Sequence, residues 1–391
     1  MKKLILALSL LGASLYATTL DEIIQKALEQ NPSLESITHK ISANKSNIDV
    51  SNQFSNPTIT YTQNTIDDDQ AMSQRTVTLQ QKLPYFGKRD SLKEVAVAQE
   101  AILTQNLEQA KVSLVNEIKN QAYTVWKLEE LLKIINEYKD LTRQNIELFE
   151  SYTITSDNQH MGIMSAELTL SDLKVQKSIL KAQIYTAYAK LSYLASFEVK
   201  KLDINLLVMD MPNIDELHVD LSNNKNLAIR EKEIQKNQAM VKTADLNNYP
   251  DINLIGGYSY RNNFDNYWTF GLGVSLPIYG SEDYKEEEAR KLTLSAQSLK
   301  EDTKIAINAD FKSAYVQMKS AYEIYHIVHD EALPQVEHMF ELTSSSIATG
   351  GDLFKYIDIL VQKLKLEQKS IAAVAAYNTA EAKISALQGD I

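Results

Sequence analysis

Apolar and polar residues alternate along two parts of the chain, residues 57–84 and 250–277. In the second part the apolar positions are Ile252, Leu254, Tyr258 and Tyr260, followed by Trp268, Phe270, Leu272, Val274 and Leu276. In the first part they are Ile59 and Tyr61, followed by Val77, Leu79 and Leu83. A period of two over about ten residues indicates strands with one apolar and one polar face. The pattern predicts a lipid-facing β-hairpin in each part, although a hairpin of a soluble β-sandwich shows the same alternation.

A helical period governs most of the remaining chain. No glycine or proline occurs between Lys88 and Met161. Apolar residues spaced three and four apart form one seam at Val115, Ile118, Ala122, Val125, Leu128, Leu132 and Ile135, and a second at Leu131, Ile134, Tyr138 and Leu141. At about 1.5 Å per residue such a helix extends on the order of 100 Å. Two adjacent seams predict that it contacts neighbours on more than one side.

Glycine and proline predict where the long helices turn. Gly162 is the expected reversal of the first pair, after which residues 163–196 are again helical. In the second pair Pro334 is expected to interrupt the descending helix. Gly350 and Gly351 are the expected reversal of that pair. Shorter helices are predicted before each hairpin, at about 20–53 and 221–248.

The prolines reveal an internal duplication. Pro250 and Pro277 follow Pro57 and Pro84 at the same offset of 193 residues. A fixed offset without gaps indicates two copies of one structural unit.

The duplication divides the chain into a first repeat at 18–199, a connector at 200–219 and a second repeat at 220–391. Each repeat is predicted to contain a helix, a β-hairpin and a long helical hairpin. The helical hairpins are expected at 88–199 and 281–388. The predicted fold class is therefore mainly α, with a small β part of four strands per protomer.

The first residues have the features of a secretory signal peptide at 1–17. Lys2 and Lys3 precede an apolar run from Leu4 to Leu11, and a stretch of small residues ends at Ala17. The apolar run is shorter than the about 20 residues that a membrane-spanning helix needs, so we predict cleavage after Ala17. The signal places the protein in the cell envelope, where disulfides can form. The chain has no cysteine, so packing or assembly must stabilise it instead.

Composition and motifs narrow the functional classes. The formal net charge is −11, so the chain lacks the basic surface that nucleic-acid binding needs. An acidic surface attracts cations and repels anions. No Walker, nucleophile-elbow or metalloprotease motif is present. We expect no enzymatic activity, no cofactor and no nucleic-acid partner.

Four strands cannot close a membrane barrel, because the smallest known barrels need about eight. An unpaired strand edge in lipid costs several kcal/mol per backbone group. Two copies would supply eight strands and three would supply twelve, and the two seams of the long helix favour the larger ring. The expected assembly is therefore a ring of several copies, in which three copies are favoured over two.

Three segments carry a family resemblance. They are the helix start ending in Asn31-Pro32-Ser33-Leu34, the junction Leu83-Pro84-Tyr85-Phe86-Gly87, and Leu333-Pro334-Gln335 followed by Gly350, Leu353, Ile357-Asp358 and Gln362. In this order, and together with the duplication, they resemble the TolC family of outer-membrane efflux proteins. Within that family the chain is similar to the branch typified by the metal-efflux channels CzcC and CusC.

The resemblance implies a homotrimeric channel with a 12-stranded β-barrel in the outer membrane of a Gram-negative bacterium. Its long helical hairpins would form a coiled-coil α-barrel in the periplasm. It implies a tripartite efflux system in which a periplasmic adaptor protein and an inner-membrane pump deliver substrate for passive export. The branch favours heavy-metal cations. A type I secretion channel and a periplasmic coiled-coil scaffold without a pore remain alternatives.

The resemblance also places an acidic ring at the tip of the second helical hairpin, where it would select cations. Asp352 and Asp358 are the candidates for this ring, and Asp157 lies near the first tip. Acidic residues at a helix start also complement the helix dipole, so both roles remain open for Asp352.

The remaining candidates are aromatic, basic and metal-binding side chains. An aromatic girdle at the lipid interface is expected from Tyr258, Tyr260, Tyr267 and Trp268. Lys88 and Arg89 are expected either at the barrel rim or as ordinary charges on the helix surface. Soft or imidazole ligands occur at His160, Met161 and Met164, and at His326 and His329. Without cysteine these side chains do not form a complete set of metal ligands, and we predict no metal site.

Overall fold

The computed structural model describes residues 18–65, 67, 70, 72–151, 157–209, 211, 221–347 and 351–390. The signal peptide predicted at 1–17, Gly350, and residues 210 and 212–219 of the predicted connector lie outside these residues.

The described residues form eight α-helices and six strands. The helices are α1 (Leu20–Gln30), α2 (Pro32–Ser51), α3 (Lys88–Ser151), α4 (Asp157–Ala195), α5 (Lys225–Asn247), α6 (Ser281–His326), α7 (Leu333–Ile347) and α8 (Leu353–Gln388). The strands are β1 (Thr18–Thr19), β2 (Thr58–Gln63), β3 (Gln74–Leu83), β4 (Leu202–Asp203), β5 (Ile252–Arg261) and β6 (Tyr267–Val274). A π-helical segment, Ile327–Ala332, precedes α7.

The chain forms two compact units. The sheet unit comprises Ser33–Ala110 and Asp220–Asn308, and the helical unit comprises the described residues of Met1–Pro32, Lys111–Val219 and Ala309–Ile391. Each unit therefore takes residues from both predicted repeats.

The sheet unit contains a four-stranded antiparallel sheet in the order β2-β3-β5-β6. The pairing of β3 with β5 joins the hairpin of the first repeat to that of the second. One row across the sheet contains Tyr61, Val77, Tyr258 and Trp268. Residues directly opposite each other share a face, so the register collects the apolar positions of all four strands on one side.

Both hairpins end at a glycine in the left-handed conformation. Gly87 has a φ of 87° and Gly280 has a φ of 71°. Each directly precedes a long helix, α3 or α6. The two glycines are separated by the duplication offset, and glycine adopts this φ without the steric cost that a Cβ brings. A left-handed glycine therefore precedes the long helix in both repeats.

The first apolar seam of α3 is the centre of a core in the helical unit. Ile118, Ala122 and Val125 are fully buried, and they pack with Leu191 of α4 and Ile23 of α1. Helix α1 starts at a capping box, in which Thr19 and Glu22 each accept the backbone amide of the other.

A second core of the helical unit joins α3, α4 and α8. Its buried members include Ile135, Tyr138, Leu173, Tyr356 and Leu360. Tyr138 belongs to the second apolar seam of α3, so this seam also contacts neighbouring helices within the protomer.

The prediction of a turn at Gly162 was wrong. Helix α3 ends at Ser151 and α4 begins at Asp157, so Gly162 lies inside α4. A Cβ on Gly162 would lie 3.1 Å from the Leu353 Cβ and 3.3 Å from the Phe354 amide nitrogen. Glycine at this position allows the close approach of α8 rather than a reversal of the chain.

The predicted interruption at Pro334 has a specific form. Proline lacks the amide hydrogen that would bond four residues back, and its ring clashes with that carbonyl. The chain forms the π-helical segment just before it, in which the Leu333 amide donates to the Val328 carbonyl, five residues earlier. The wider turn accommodates the proline, and α7 continues to Ile347.

Candidate functional site

The apolar face of the sheet is exposed to an unusual degree. Phe270 is 83% exposed, Leu272 73% and Ile59 72%. A soluble sheet buries such a face, because about 25 cal/mol is gained for each Å² of apolar surface removed from water. This face is therefore the first candidate functional surface, a contact for an apolar environment or partner.

Three of the four predicted girdle residues share the apolar face. Tyr258 and Trp268 are paired across β5 and β6 with ring centroids 4.9 Å apart. Tyr260 is on the same face of β5, two residues further along. Tyr267 is on the opposite face, because adjacent residues of a strand point to opposite sides.

The opposite face carries a polar network around Tyr267. The Gln74 side-chain amide donates to the Tyr267 hydroxyl at 2.9 Å and to the Ser259 hydroxyl at 3.0 Å. The hydroxyls of Thr76 and Ser259 are 2.9 Å apart. The network connects side chains of β3, β5 and β6, so hydrogen bonds join three strands on the polar face.

The junction between sheet and helices is held by a partly buried charge cluster. Asp251, directly before β5, accepts a hydrogen bond from the Lys88 ammonium at 2.7 Å and from the Tyr85 amide at 3.0 Å. Its second oxygen is 3.0 Å from the Lys82 ammonium. Lys88 also donates to the Tyr249 carbonyl at 2.8 Å.

Electrostatics support a charged Asp251. Burial alone would raise the pKa of its carboxyl group, but the hydrogen bonds from Lys88, the Tyr85 amide and Lys82 outweigh burial and hold the pKa below its ordinary value. Lys88 is therefore an internal ion-pair partner rather than a charge on the helix surface. Arg89 lies over the Phe54 ring at 3.7 Å.

The acidic candidates of the helical unit lie at or near helix starts. Asp157 is the first residue of α4. Asp352 caps α8 by accepting the amides of Phe354 at 2.9 Å and Lys355 at 3.3 Å. Asp358 is exposed on α8, where it accepts a hydrogen bond from the Gln362 side chain at 2.8 Å. The capping role of Asp352 is thus observed, and it leaves one carboxylate oxygen for other contacts.

Gly351 lies in the connection between α7 and α8, where its amide donates to the Ser346 carbonyl at 2.9 Å. The second helical hairpin therefore reverses close to its predicted position.

The soft and imidazole side chains do not converge. His160, Met161 and Met164 are all exposed near the start of α4. His326 pairs with Asp330 at 2.7 Å, whereas His329 stacks on Tyr325 with ring centroids 5.1 Å apart. In the part of the chain that the structure describes, no group of three or more His, Cys, Asp or Glu side chains is placed to hold a metal ion.

A groove of about 840 Å³ lies among α3, α6 and α8 of the helical unit. Small side chains dominate its lining, among them Ala321, Ala373, Ala376 and Ala380. Tyr123 also lines it, and burial together with the charge of Glu381 raises the pKa of this phenol to about 12. The groove is mainly apolar and presents no cluster of catalytic groups.

None of the helices in the described ranges is both long and apolar enough to cross a bilayer.

Sequence reasoning missed Asp251. The residues that converge on it lie more than 160 positions earlier in the chain. The only local signal was a charged residue between Pro250 and a strand, which is common at strand starts and indicates no partner.

Comparisons with known proteins agree with this architecture. The model of the family described as Outer membrane efflux protein matches residues 23–194 and again 217–389. The family model thus matches the chain twice, once in each copy of the duplication. A search among curated protein sequences found no significant match.

Solved structures show the same fold. CusC has a TM-score of 0.81 at 13% identity, with 95% of this chain and 92% of that chain covered. The open MtrE channel of Neisseria gonorrhoeae has a TM-score of 0.80 at 15% identity, with 95% and 89% covered. CmeC of Campylobacter jejuni has a TM-score of 0.79 at 12% identity, with 95% and 85% covered. At these identities the likeness establishes the fold.

Proposed function

Because the chain belongs to the outer membrane efflux protein family, we propose that it is one protomer of a homotrimeric channel in the outer membrane of a Gram-negative bacterium. The channel conducts substrate passively to the exterior from a periplasmic adaptor protein and an inner-membrane pump. Three four-stranded sheets form its 12-stranded barrel, and the long helical hairpins lie in the periplasm. No chemical step takes place in the chain, since the pump supplies the driving force.

The observation that carries this proposal is the exposed apolar face of an open sheet. Within the described residues β2 and β6 each pair on one side only. In lipid an unpaired strand edge costs several kcal/mol for each unsatisfied backbone group, so the edges must pair with those of other copies. Four strands per protomer and three protomers close a barrel with apolar residues towards lipid and polar residues towards the lumen.

The proposed substrate is a heavy-metal cation. Its support is the net charge of −11 and the position of Asp157, Asp352 and Asp358 at or near the starts of α4 and α8. A threefold axis would turn each carboxylate into a ring, and rings of carboxylates favour cations. Exposed carboxylates such as those of Asp352 and Asp358 exchange cations readily, as a conduit requires, whereas a closed ligand set would retain them.

A matched pair of lysine substitutions tests the orientation of the sheet. Phe270 and Thr269 are neighbours in β6 with side chains on opposite faces. A lysine towards lipid costs about 2–4 kcal/mol at the bilayer midplane, whereas a lysine in the lumen is tolerated. Phe270→Lys should greatly reduce the amount of folded trimer in outer-membrane fractions, and Thr269→Lys should leave it near the wild-type amount.

The readout is the trimer quantified by native mass spectrometry after detergent extraction. Equal amounts of trimer in the two variants would contradict the assignment of faces. Wild-type protein recovered as a folded monomer from the soluble periplasm would remove the channel proposal altogether.

A further inference from the structure

A partly buried polar centre lies between helices α3, α7 and α8 of the helical unit. It contains Tyr138 of α3, Glu337 of α7, and Lys363 and Glu367 of α8. The Lys363 ammonium is 3.4 Å from a Glu337 oxygen and 3.9 Å from a Glu367 oxygen. Only 20% of the Lys363 side chain and 24% of the Glu367 side chain are exposed. The centre borders the apolar core of α3, α4 and α8, in which Tyr138 is buried.

The Tyr138 hydroxyl is the incomplete part of this centre. The residue is 4% exposed, and its oxygen makes no well-formed hydrogen bond with any described residue. The hydroxyl nevertheless faces the Glu367 carboxylate, which is the charge with the largest effect on the pKa of Tyr138. An ionised carboxylate is the stronger acceptor for this hydroxyl, so Tyr138 favours the charged form of Glu367.

The charges around Glu367 do not balance. Its carboxylate experiences Lys363 as the attractive charge, and Glu137 of α3 and Glu337 of α7 as repulsive charges. Among the strongest charges that act on Glu367, two carboxylates thus oppose one ammonium group. Burial first, and then these two glutamates, raise the pKa of Glu367 above its ordinary value of 4.5, although Tyr138 and Lys363 act in the opposite direction.

We propose that Glu367 is a proton-binding site that couples the pH of the periplasm to the packing of α8 against α3 and α7. On acidification the carboxylate takes a proton from water. The neutral carboxyl group relieves the repulsion from Glu137 and Glu337, which lets α3 and α7 pack more closely on α8. The ligand of the site is the proton itself, and the response is tighter packing of these three helices.

The sign of the effect follows from linkage. A carboxyl group that holds its proton more firmly in the folded state stabilises that state at low pH. This stabilisation is fully present below the unfolded pKa of Glu367 and is lost as the pH rises through the folded pKa. The packing of the three helices should therefore weaken towards neutral pH. An ordinary ion-paired glutamate has the opposite effect, because it stabilises the folded state at higher pH.

Infrared difference spectroscopy of the full chain in detergent micelles tests the proposal, because a protonated carboxyl group has its own carbonyl band. The difference between wild type and Glu367→Gln should contain one band that disappears on raising the pH, with a midpoint above 4.5. Glu341→Gln, at an exposed position of α7, is the control and should leave that band unchanged. A Glu367 band with its midpoint at or below 4.5 would overturn the proposal.

Two further variants keep the test decisive if Glu367→Gln fails to fold. Glu337→Gln removes a repulsive charge and should lower the midpoint, whereas Lys363→Met removes the attractive charge and should raise it. Hydrogen exchange of peptides covering 360–370, corrected for the intrinsic effect of pH, should slow on acidification in wild type. The role of Glu367 would be refuted if the midpoint of its carbonyl band were unshifted in both variants. It would also be refuted if the corrected hydrogen-exchange rate of the wild type did not change with pH. None of these readouts requires the channel to conduct.

Discussion

Removal of the Asp251 carboxylate tests how the sheet is attached to its helices. This group accepts hydrogen bonds from Lys88 at 2.7 Å and from the Tyr85 amide at 3.0 Å, and it pairs with Lys82 at 3.0 Å. In Asp251→Ala the Lys88 ammonium keeps only the Tyr249 carbonyl, and the Tyr85 amide loses its acceptor. The two lysines differ in burial, since 9% of the Lys88 side chain is exposed but 53% of the Lys82 side chain.

These exposures set the expected magnitudes. Loss of one partner from a buried ion pair costs about 3–5 kcal/mol, because the other charge remains buried without compensation. A pair with an exposed lysine contributes about 0–1 kcal/mol. Asp251→Ala should therefore lower the free energy of unfolding by about 3–5 kcal/mol, and Lys82→Met by less than about 1 kcal/mol. The double variant Asp251→Ala/Lys88→Met should recover much of the loss, since no buried charge is left.

The two tryptophans of the chain provide the assay. Trp268 lies in β6 and Trp126 in α3. In a Trp126→Phe background the fluorescence reports on the sheet alone, and denaturant midpoints can be compared in micelles of fixed composition at pH 7. The reasoning fails if Asp251→Ala shifts the midpoint no more than Lys82→Met does, or if the double variant is no more stable than Asp251→Ala.

Two further predictions concern the helical unit. In planar bilayers Asp352→Ala and Asp358→Ala should each reduce the preference for cations, whereas Asp172→Ala, an exposed site on α4, should not; unchanged selectivity in both variants would refute the acidic ring. Gly162→Val should destabilise the packing of α4 on α8 by about 1–3 kcal/mol because its side chain enters the 3.1 Å approach to Leu353. Faster hydrogen exchange at 353–360 would show this, and the same acceleration in Ser171→Val, at an exposed site on α4, would contradict it.

The sequence predicted the fold wherever the evidence was periodic or repeated. The alternation around Phe270 located the strands, and the seam through Ile118 and Val125 located the buried side of α3. The fixed offset between the prolines predicted the duplication, which the two family matches confirm. The end of the first long helix could not be predicted in this way, because Gly162 has two possible roles. It can end a helix or allow another helix to approach, and only the position of Leu353 decides between them.

Face assignments show the same limit within a strand. Tyr267 and Trp268 are adjacent aromatic residues and were predicted to serve the same girdle. The register pairs Trp268 with Tyr258 and Tyr267 with Ser259, so the pleat separates them onto opposite faces.

By itself the sequence determined the kind of the main elements and their order along the chain, because hydrophobic period is a property of local segments. Only the tertiary structure decided which distant charges meet. Asp251 with Lys88 and Glu367 with Tyr138 are joined by strand register and helix packing, and no local pattern encodes these contacts. The energy of such pairs depends on burial, which a chain acquires only after it has folded.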